Sequence, residues 1–436
     1  MKTSLQDHHI APAEVETEPR LSHLAETLIG SEIVKLAGEI KEKIRQGQRI
    51  YNFTVGDFDP QIFPIPKELE YEIIEAYRQH FTNYPLGEGN LDLREAVSDF
   101  IKERSELNYH PHEILIASGG RPLIYSFFRS VADKGDKVIY AVPSWNNNHY
   151  VHMVDGEHCV IEAFPEKNFM PTAADIEPHL KGAAVLALCT PQNPTGTTMN
   201  KEELAKICDM VLAENESRPR GAKKLYLMYD QMYALLCYGD IQHADPVQLR
   251  PAMREYTVYI DAISKCFAAT GVRVGWSYGP AAVIHKMKAI LSHLGAWAPM
   301  AEQKATAKFL PNTQAIDAYL KDFKSELEIR LRAIHAGFQN LKKQGFAVDS
   351  ITPQAGIYLT IQLNLVGKTT AQGKKLEKQG DVTAYILDDA GLAVVPFYAF
   401  GASRNSNWYR LSVGTCVKEE IPEMFDKLKQ SLQKLV

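Results

Sequence analysis

Between residues 113 and 262 one pattern recurs. EILIA (113–117), KVIYAV (137–142), CVIEAF (159–164), AAVLALC (183–189), KLYLMYD (224–230) and VYIDA (258–262) are runs of mostly apolar residues with little alternation. A strand that is apolar at successive positions is covered on both faces, as in a parallel sheet sandwiched between helices. Amphipathic stretches such as 122–134 and 201–214 lie between most of the runs. This rhythm predicts right-handed βαβ crossovers and an α/β domain. Ligands of such sheets bind beyond the carboxyl ends of the strands, so the loops after the runs are where function is sought.

On either side the pattern changes. Ile33, Val34, Leu36, Ile40 and Ile44 mark one face of a helix over 31–46, and IYNFTV (50–55) reads as a strand ending at Gly56, before an Asp57–Pro60 turn. Helices are expected over 68–78 and 91–105, around the glycine-rich 84–89. After Pro299 a long helix is expected over 315–344, with Tyr319, Leu320, Phe323, Leu327, Leu331, Ile334 and Phe338 on one face. The strands GIYLTIQL (356–363) and LAVVPF (392–397) follow, with an exposed loop (367–380) between them and an amphipathic helix closing the chain. The expected organisation is a disordered tail (1–20), an N-terminal segment of a small α+β domain (21–65), a large domain (66–310) and the rest of the small domain (311–436).

Composition excludes several classes. Lys and Arg number 48 against 53 Asp and Glu, a net charge of −5 with no basic block, which argues against nucleic acid as the main partner. The run at 183–189 stops at seven residues, far short of a membrane span. The first 20 residues lack an apolar core of the signal-peptide kind, so the expected location is cytoplasmic. Six cysteines (159, 189, 208, 237, 266 and 416) stand singly, predicting buried thiols in a reducing compartment, with neither a disulfide framework nor a metal site. Gly367-Lys-Thr369 lacks the earlier glycine of a phosphate-binding loop, Gly87-Glu-Gly89 lacks the third glycine of a dinucleotide fingerprint, and His112-Glu113 has no second histidine at 116.

Five segments fall at or just after strand ends: 117–121 (ASGGR), 142–146 (VPSWN), 190–196 (TPQNPTG), 229–233 (YDQMY) and 263–273 (ISKCFAATGVR). Together they offer amides at a helix start for an anion, an aromatic ring, a buried carboxylate, a lysine and an arginine. Their order resembles the class I/II aminotransferases, pyridoxal 5′-phosphate (PLP) enzymes of the aspartate aminotransferase type, from about Leu21 to the C-terminus. The resemblance implies the PLP-dependent transferase fold type I, a large domain with a mainly parallel seven-stranded sheet plus a smaller α+β domain.

It also implies roles. Lys265 matches the lysine that forms a Schiff base with the cofactor and later moves a proton. Asp230 would pair with the pyridine nitrogen, Asn193 and Tyr233 with the phenolic oxygen, and Trp145 would stack on the ring. Gly119, Gly120, Arg121, Ser264 and Arg273 would form the phosphate cup, joined by Tyr84 from a neighbouring subunit, which implies a homodimer with shared sites. Arg410 would fork the substrate's α-carboxylate, with Gly56 and Asn193 beside it, and Arg121 would meet a distal carboxylate. The expected activity is amino transfer from an L-amino acid, aspartate favoured, to a 2-oxo acid such as 2-oxoglutarate. A PLP-dependent lyase or decarboxylase on the same site is the alternative. A non-catalytic PLP-binding regulator is a remote one, because the short polar stretch before Leu21 leaves no room for a DNA-binding module.

Overall fold

The computed structural model describes residues 21–28 and 32–436; the tail expected over 1–20 lies outside the described residues. Helix His23–Thr27, capped by the Ser22 side chain, belongs to a unit that ends at residue 30, and residues 31–436 form another. In the second unit a short strand, β1 (Tyr51–Asn52), precedes the main sheet. That sheet contains β2 (Ile114–Ala117), β3 (Lys137–Val142), β4 (Glu157–Glu162), β5 (Val185–Cys189), β6 (Tyr226–Asp230), β7 (Thr257–Ala262) and β8 (Gly275–Tyr278). Its order is β2-β8-β7-β6-β5-β3-β4, parallel throughout except for β8, which runs antiparallel to both neighbours.

Alternate residues of the apolar runs serve two different cores. Ile114, Ile116, Leu186 and Leu227 join the layer holding Leu204, Ile207 and Val211 of helix Lys201–Ser217. Leu115, Ala117, Val138 and Val185 face the opposite layer, with Phe127 of helix Gly120–Val131 and Met287 of helix Ala281–Leu294. Burying one such side chain fully contributes roughly 1.5–3 kcal/mol. The run at 159–164 departs from this pattern. Its strand β4 starts earlier, ends at Glu162 and lies at the sheet edge, with Val160 in the strand and Phe164 beyond it both exposed. β8 was not expected: its residues Gly-Trp-Ser-Tyr are too short and mixed to register as an apolar run.

The C-terminal region adds β9 (Val348–Ser350), β10 (Tyr358–Leu363), β11 (Leu392–Ala393), β12 (Val395–Pro396) and β13 (Trp408–Ser412). An antiparallel sheet takes the order β12-β13-β10-β9, and β11 pairs in parallel with β1. The single strand expected at 392–397 is therefore split between two sheets. Likewise only Tyr51 and Asn52 of the expected strand at 50–55 pair. Helix Thr313–Lys343 buries Leu320, Leu327, Leu331 and Phe338 as its periodicity predicts. The segment 367–380 is not a free loop: Leu376 and Thr370 are buried, and Thr369 exchanges two backbone hydrogen bonds with Val436. Among the described residues, no helix is long and apolar enough to cross a membrane.

Candidate active site

The carboxyl ends of β2, β3, β5, β6 and β7 open onto one cavity of about 670 Å³, which the segment after β1 and the C-terminal sheet also line. Gly56, Gly120, Arg121, Trp145, Asn193, Asp230, Tyr233, Ser264, Lys265, Arg273 and Arg410 all line it. Tyr84 does not. It is 83% exposed and meets the Trp297 ring edge-on in a separate surface groove.

At the end of β2 the chain turns through Gly119, whose φ of 85° favours glycine. A Cβ there would lie 2.3 Å from an Arg273 guanidinium nitrogen, so Gly119 is what lets that arginine approach. Helix Gly120–Val131 begins at the next residue, turning unpaired N–H groups and the positive end of its dipole toward the cavity. Arg273 donates from Nη2 to the Ser118 carbonyl at 2.6 Å and from Nη1 to the Thr270 carbonyl at 2.9 Å. Ser264 stands one residue before Lys265 in the short helix Ile263–Cys266. These groups gather N–H donors and positive charge at one end of the cavity, a cradle suited to an anion.

The Lys265 Nζ donates to the Gly56 carbonyl at 2.6 Å. Burial lowers its pKa to about 8; Asp57 opposes the shift, while Arg410, Arg121 and Arg273 add to it. Its amine is thus neutral far more often than a surface lysine's. Asp230 ends β6, where its Oδ1 accepts the Met232 N–H at 3.2 Å. Burial pushes Asp230 up to about 6, so near neutral pH it is a buried carboxylate with little compensation, suited to a cationic partner. On the adjacent strand Asp261 is pushed up to about 7, again chiefly by burial, with the Asp230 charge contributing.

Arg410 is 2% exposed on β13. Its Nη2 donates to the Thr54 carbonyl at 2.6 Å and its Nη1 to Asn193 Oδ1 at 3.1 Å, and its guanidinium lies 4.8 Å from both the Tyr358 and Phe400 rings. Nε has no partner, leaving a buried guanidinium short of an acceptor. Gly56 passes so close that a Cβ would sit 2.7 Å from Tyr358 Oη and 3.5 Å from Arg410 Nη1. At the mouth the Arg121 guanidinium lies 5.3 Å from the centre of the Trp145 ring.

Sequence reasoning missed several lining residues, among them Tyr358, Asp57 and Cys189. Tyr358 places its hydroxyl 2.8 Å from that of Tyr233. Asp57 accepts a hydrogen bond from Thr270 Oγ1 at 2.5 Å, tying the segment over the cavity to the Lys265–Arg273 loop. Cys189 ends β5 in register with Asp230. A tyrosine inside an apolar strand reads as core, and an Asp in a turn reads as a turn former; only the antiparallel pairing of β10 and β13 brings Tyr358 under Arg410.

A mainly parallel sheet whose strand ends gather a lysine, a buried carboxylate and an anion cradle defines a PLP-dependent transferase of fold type I. The description "Aminotransferase class I and II" matches residues 49–428, and the chain belongs to that family. It is 25% identical over 93% of its length to an aspartate aminotransferase of Rhizobium meliloti, covering 94% of that protein. It is 27% identical to an aspartate aminotransferase of Bacillus sp. (strain YM-2), covering 93% of this chain and 98% of that one. A probable aspartate/prephenate aminotransferase of Rickettsia felis is also 27% identical, over 89% of this chain and 90% of the other. Among solved structures, the Rhizobium meliloti aspartate aminotransferase superposes with a TM-score of 0.87 at 24% identity, covering 96% of this chain and all of that one. The Thermus thermophilus enzyme with maleate gives 0.83 at 24% identity, covering 95% of this chain and all of that one. The protein is an aminotransferase, and its family uses PLP. The residues present fit that cofactor: the cradle suits its phosphate, Asp230 its ring nitrogen and Lys265 its aldehyde.

Proposed function

We propose that the enzyme transfers the amino group of an acidic amino acid, aspartate favoured, to a 2-oxo acid such as 2-oxoglutarate. The observation that carries this reading is the pair of guanidinium groups on one cavity: Arg410, buried with a partnerless Nε, and Arg121 at the mouth. The names of the relatives, aspartate and aspartate/prephenate aminotransferases, support it, as does the dicarboxylate maleate in the Thermus thermophilus structure.

When bound, PLP supplies an aldehyde to carry the amino group and a ring that withdraws electrons from the substrate's Cα. The protein's residues do the rest. Arg410 and Asn193 fix the α-carboxylate, and Arg121 takes the distal one. Lys265, with its pKa lowered to about 8, holds the aldehyde and then takes the proton from the substrate's Cα. Asp230 keeps the ring nitrogen protonated, and Tyr233 and Asn193 donate to the phenolic oxygen. Trp145 packs on the ring, while Gly119, the backbone amides of Gly120 and Arg121, and the side chains of Ser264 and Arg273 hold the phosphate. Thr54 to Phe58 cover the site and exclude water, held by the Asp57–Thr270 hydrogen bond.

The working unit is a homodimer in which Tyr84 reaches the partner's phosphate. The exposed aromatic surface of Tyr71, Tyr77 and Tyr84 supports this. Residues 66–310 act as the large domain, with 21–65 and 311–436 as the small one. The six free thiols support a cytoplasmic setting. The test is a panel of amino donors with 2-oxoglutarate, run on wild type and Arg121→Ala. Wild type should prefer aspartate or glutamate, and Arg121→Ala should lose about 10- to 100-fold in kcat/KM for these donors alone. Equal losses for neutral donors would refute the acidic-substrate role.

A further inference from the structure

Tyr358 enters the site from β10, 1% exposed, and touches three groups to which the reading above gives separate jobs. Its hydroxyl is 2.8 Å from that of Tyr233, and their rings meet edge-on at 5.5 Å. The Arg410 guanidinium lies 4.8 Å from the centre of its ring. The Tyr358 hydroxyl also occupies the space a side chain at position 56 would need.

Each neutral phenol has one proton to give. Burial pushes both hydroxyls above the ordinary tyrosine range, Tyr233 well above it, so both stay protonated at neutral pH. Arg410 favours the ionised form of both and is the largest influence opposing burial at Tyr358, making that phenol the stronger acid and the natural donor of the pair. Cys189 from β5 and Asp57 from the segment after β1 also face the pair.

We propose that Tyr358 is a positioning residue: its hydroxyl donates to Tyr233 and commits the Tyr233 proton to the phenolic oxygen of the bound cofactor. This rests on the assignment of Tyr233 to that oxygen. A phenol that accepts one hydrogen bond becomes a better donor of its own. Stronger donation stabilises the ionised phenolic oxygen, so the chromophore's proton leaves at lower pH. Without the Tyr358 hydroxyl, Tyr233 can turn its proton toward solvent or Asn193, and the chromophore holds its proton to higher pH.

The experiment titrates the visible absorbance of the PLP-loaded protein with pH in wild type, Tyr358→Phe, Tyr233→Phe and the double variant, with thermal unfolding of each apoprotein alongside. Phenylalanine keeps the ring beneath Arg410, so Tyr358→Phe should unfold within a few degrees of wild type. Its absorbance midpoint should rise by about 0.3 to 1 pH unit, the equivalent of one hydrogen bond. In the Tyr233→Phe background the same substitution should move the midpoint by less than about a third of that, because the relay is already cut. An unchanged midpoint in Tyr358→Phe, or an equal shift without Tyr233, overturns the inference while leaving the PLP assignment intact. A wild type that develops no visible absorbance with PLP overturns both.

Discussion

Asp230→Asn should separate what the buried carboxylate costs the fold from what it gives the cofactor. Burial raises Asp230 from 3.8 to about 6, so ionising it in the folded apoprotein above that range costs roughly 3 kcal/mol relative to the unfolded chain. The folded state binds the proton more tightly between these two values, so this contribution to stability falls as pH rises from about 4 to about 6 and then stays lost. Asparagine has nearly the same shape and no charge. The apoprotein of Asp230→Asn should therefore be more stable than wild type at pH 7.5, by up to about 3 kcal/mol, shrinking to about 1 kcal/mol at pH 4.5. Asp261, pushed up to about 7, titrates with it, so the curve reports the pair. With PLP added the order reverses: wild type gains a partner for its carboxylate, while the variant binds PLP weakly and loses most of its transaminase rate. Denaturant unfolding at the two pH values, with and without PLP, measures both. An apo variant less stable than wild type at pH 7.5, or one that keeps full activity, would refute the reasoning.

Two further outcomes follow from the site. Gly56→Ala puts a methyl group 2.7 Å from Tyr358 Oη and 3.5 Å from Arg410 Nη1, so KM for the amino donor should rise at least about tenfold with little change in unfolding temperature, checked by steady-state kinetics. If the two subunits share sites through Tyr84, mixing inactive Lys265→Ala with Tyr84→Ala protein under exchanging conditions should restore activity, because the hybrid dimer holds one intact site; no restoration places Tyr84 outside the partner's site.

Much of the fold was legible because the central strands are apolar at successive residues and the long helices carry a regular stripe: 91–105 falls where it was expected, and the helix expected at 315–344 spans Thr313–Lys343. What escaped depends on partners distant in sequence. β8 is four mixed residues stabilised by β2 and β7 on either side, and 392–397 divides because β1 and β13 claim different halves. Lys265, Asp230 and Arg410, expected together from the sequence because the chemistry calls for those residue types, do converge on one cavity. Tyr358 and Asp57 were not expected there, because each meets its partner far off in sequence: Tyr358 touches Tyr233, 125 residues away, and Asp57 touches Thr270, 213 residues away.

The central claim is that Lys265 carries the cofactor. Reducing the PLP-loaded protein with borohydride and mapping the pyridoxyl label by peptide mass spectrometry tests it directly. The label should sit on Lys265 at about one per chain and be absent from Lys265→Ala; a label on another lysine, persisting in that variant, would contradict the account.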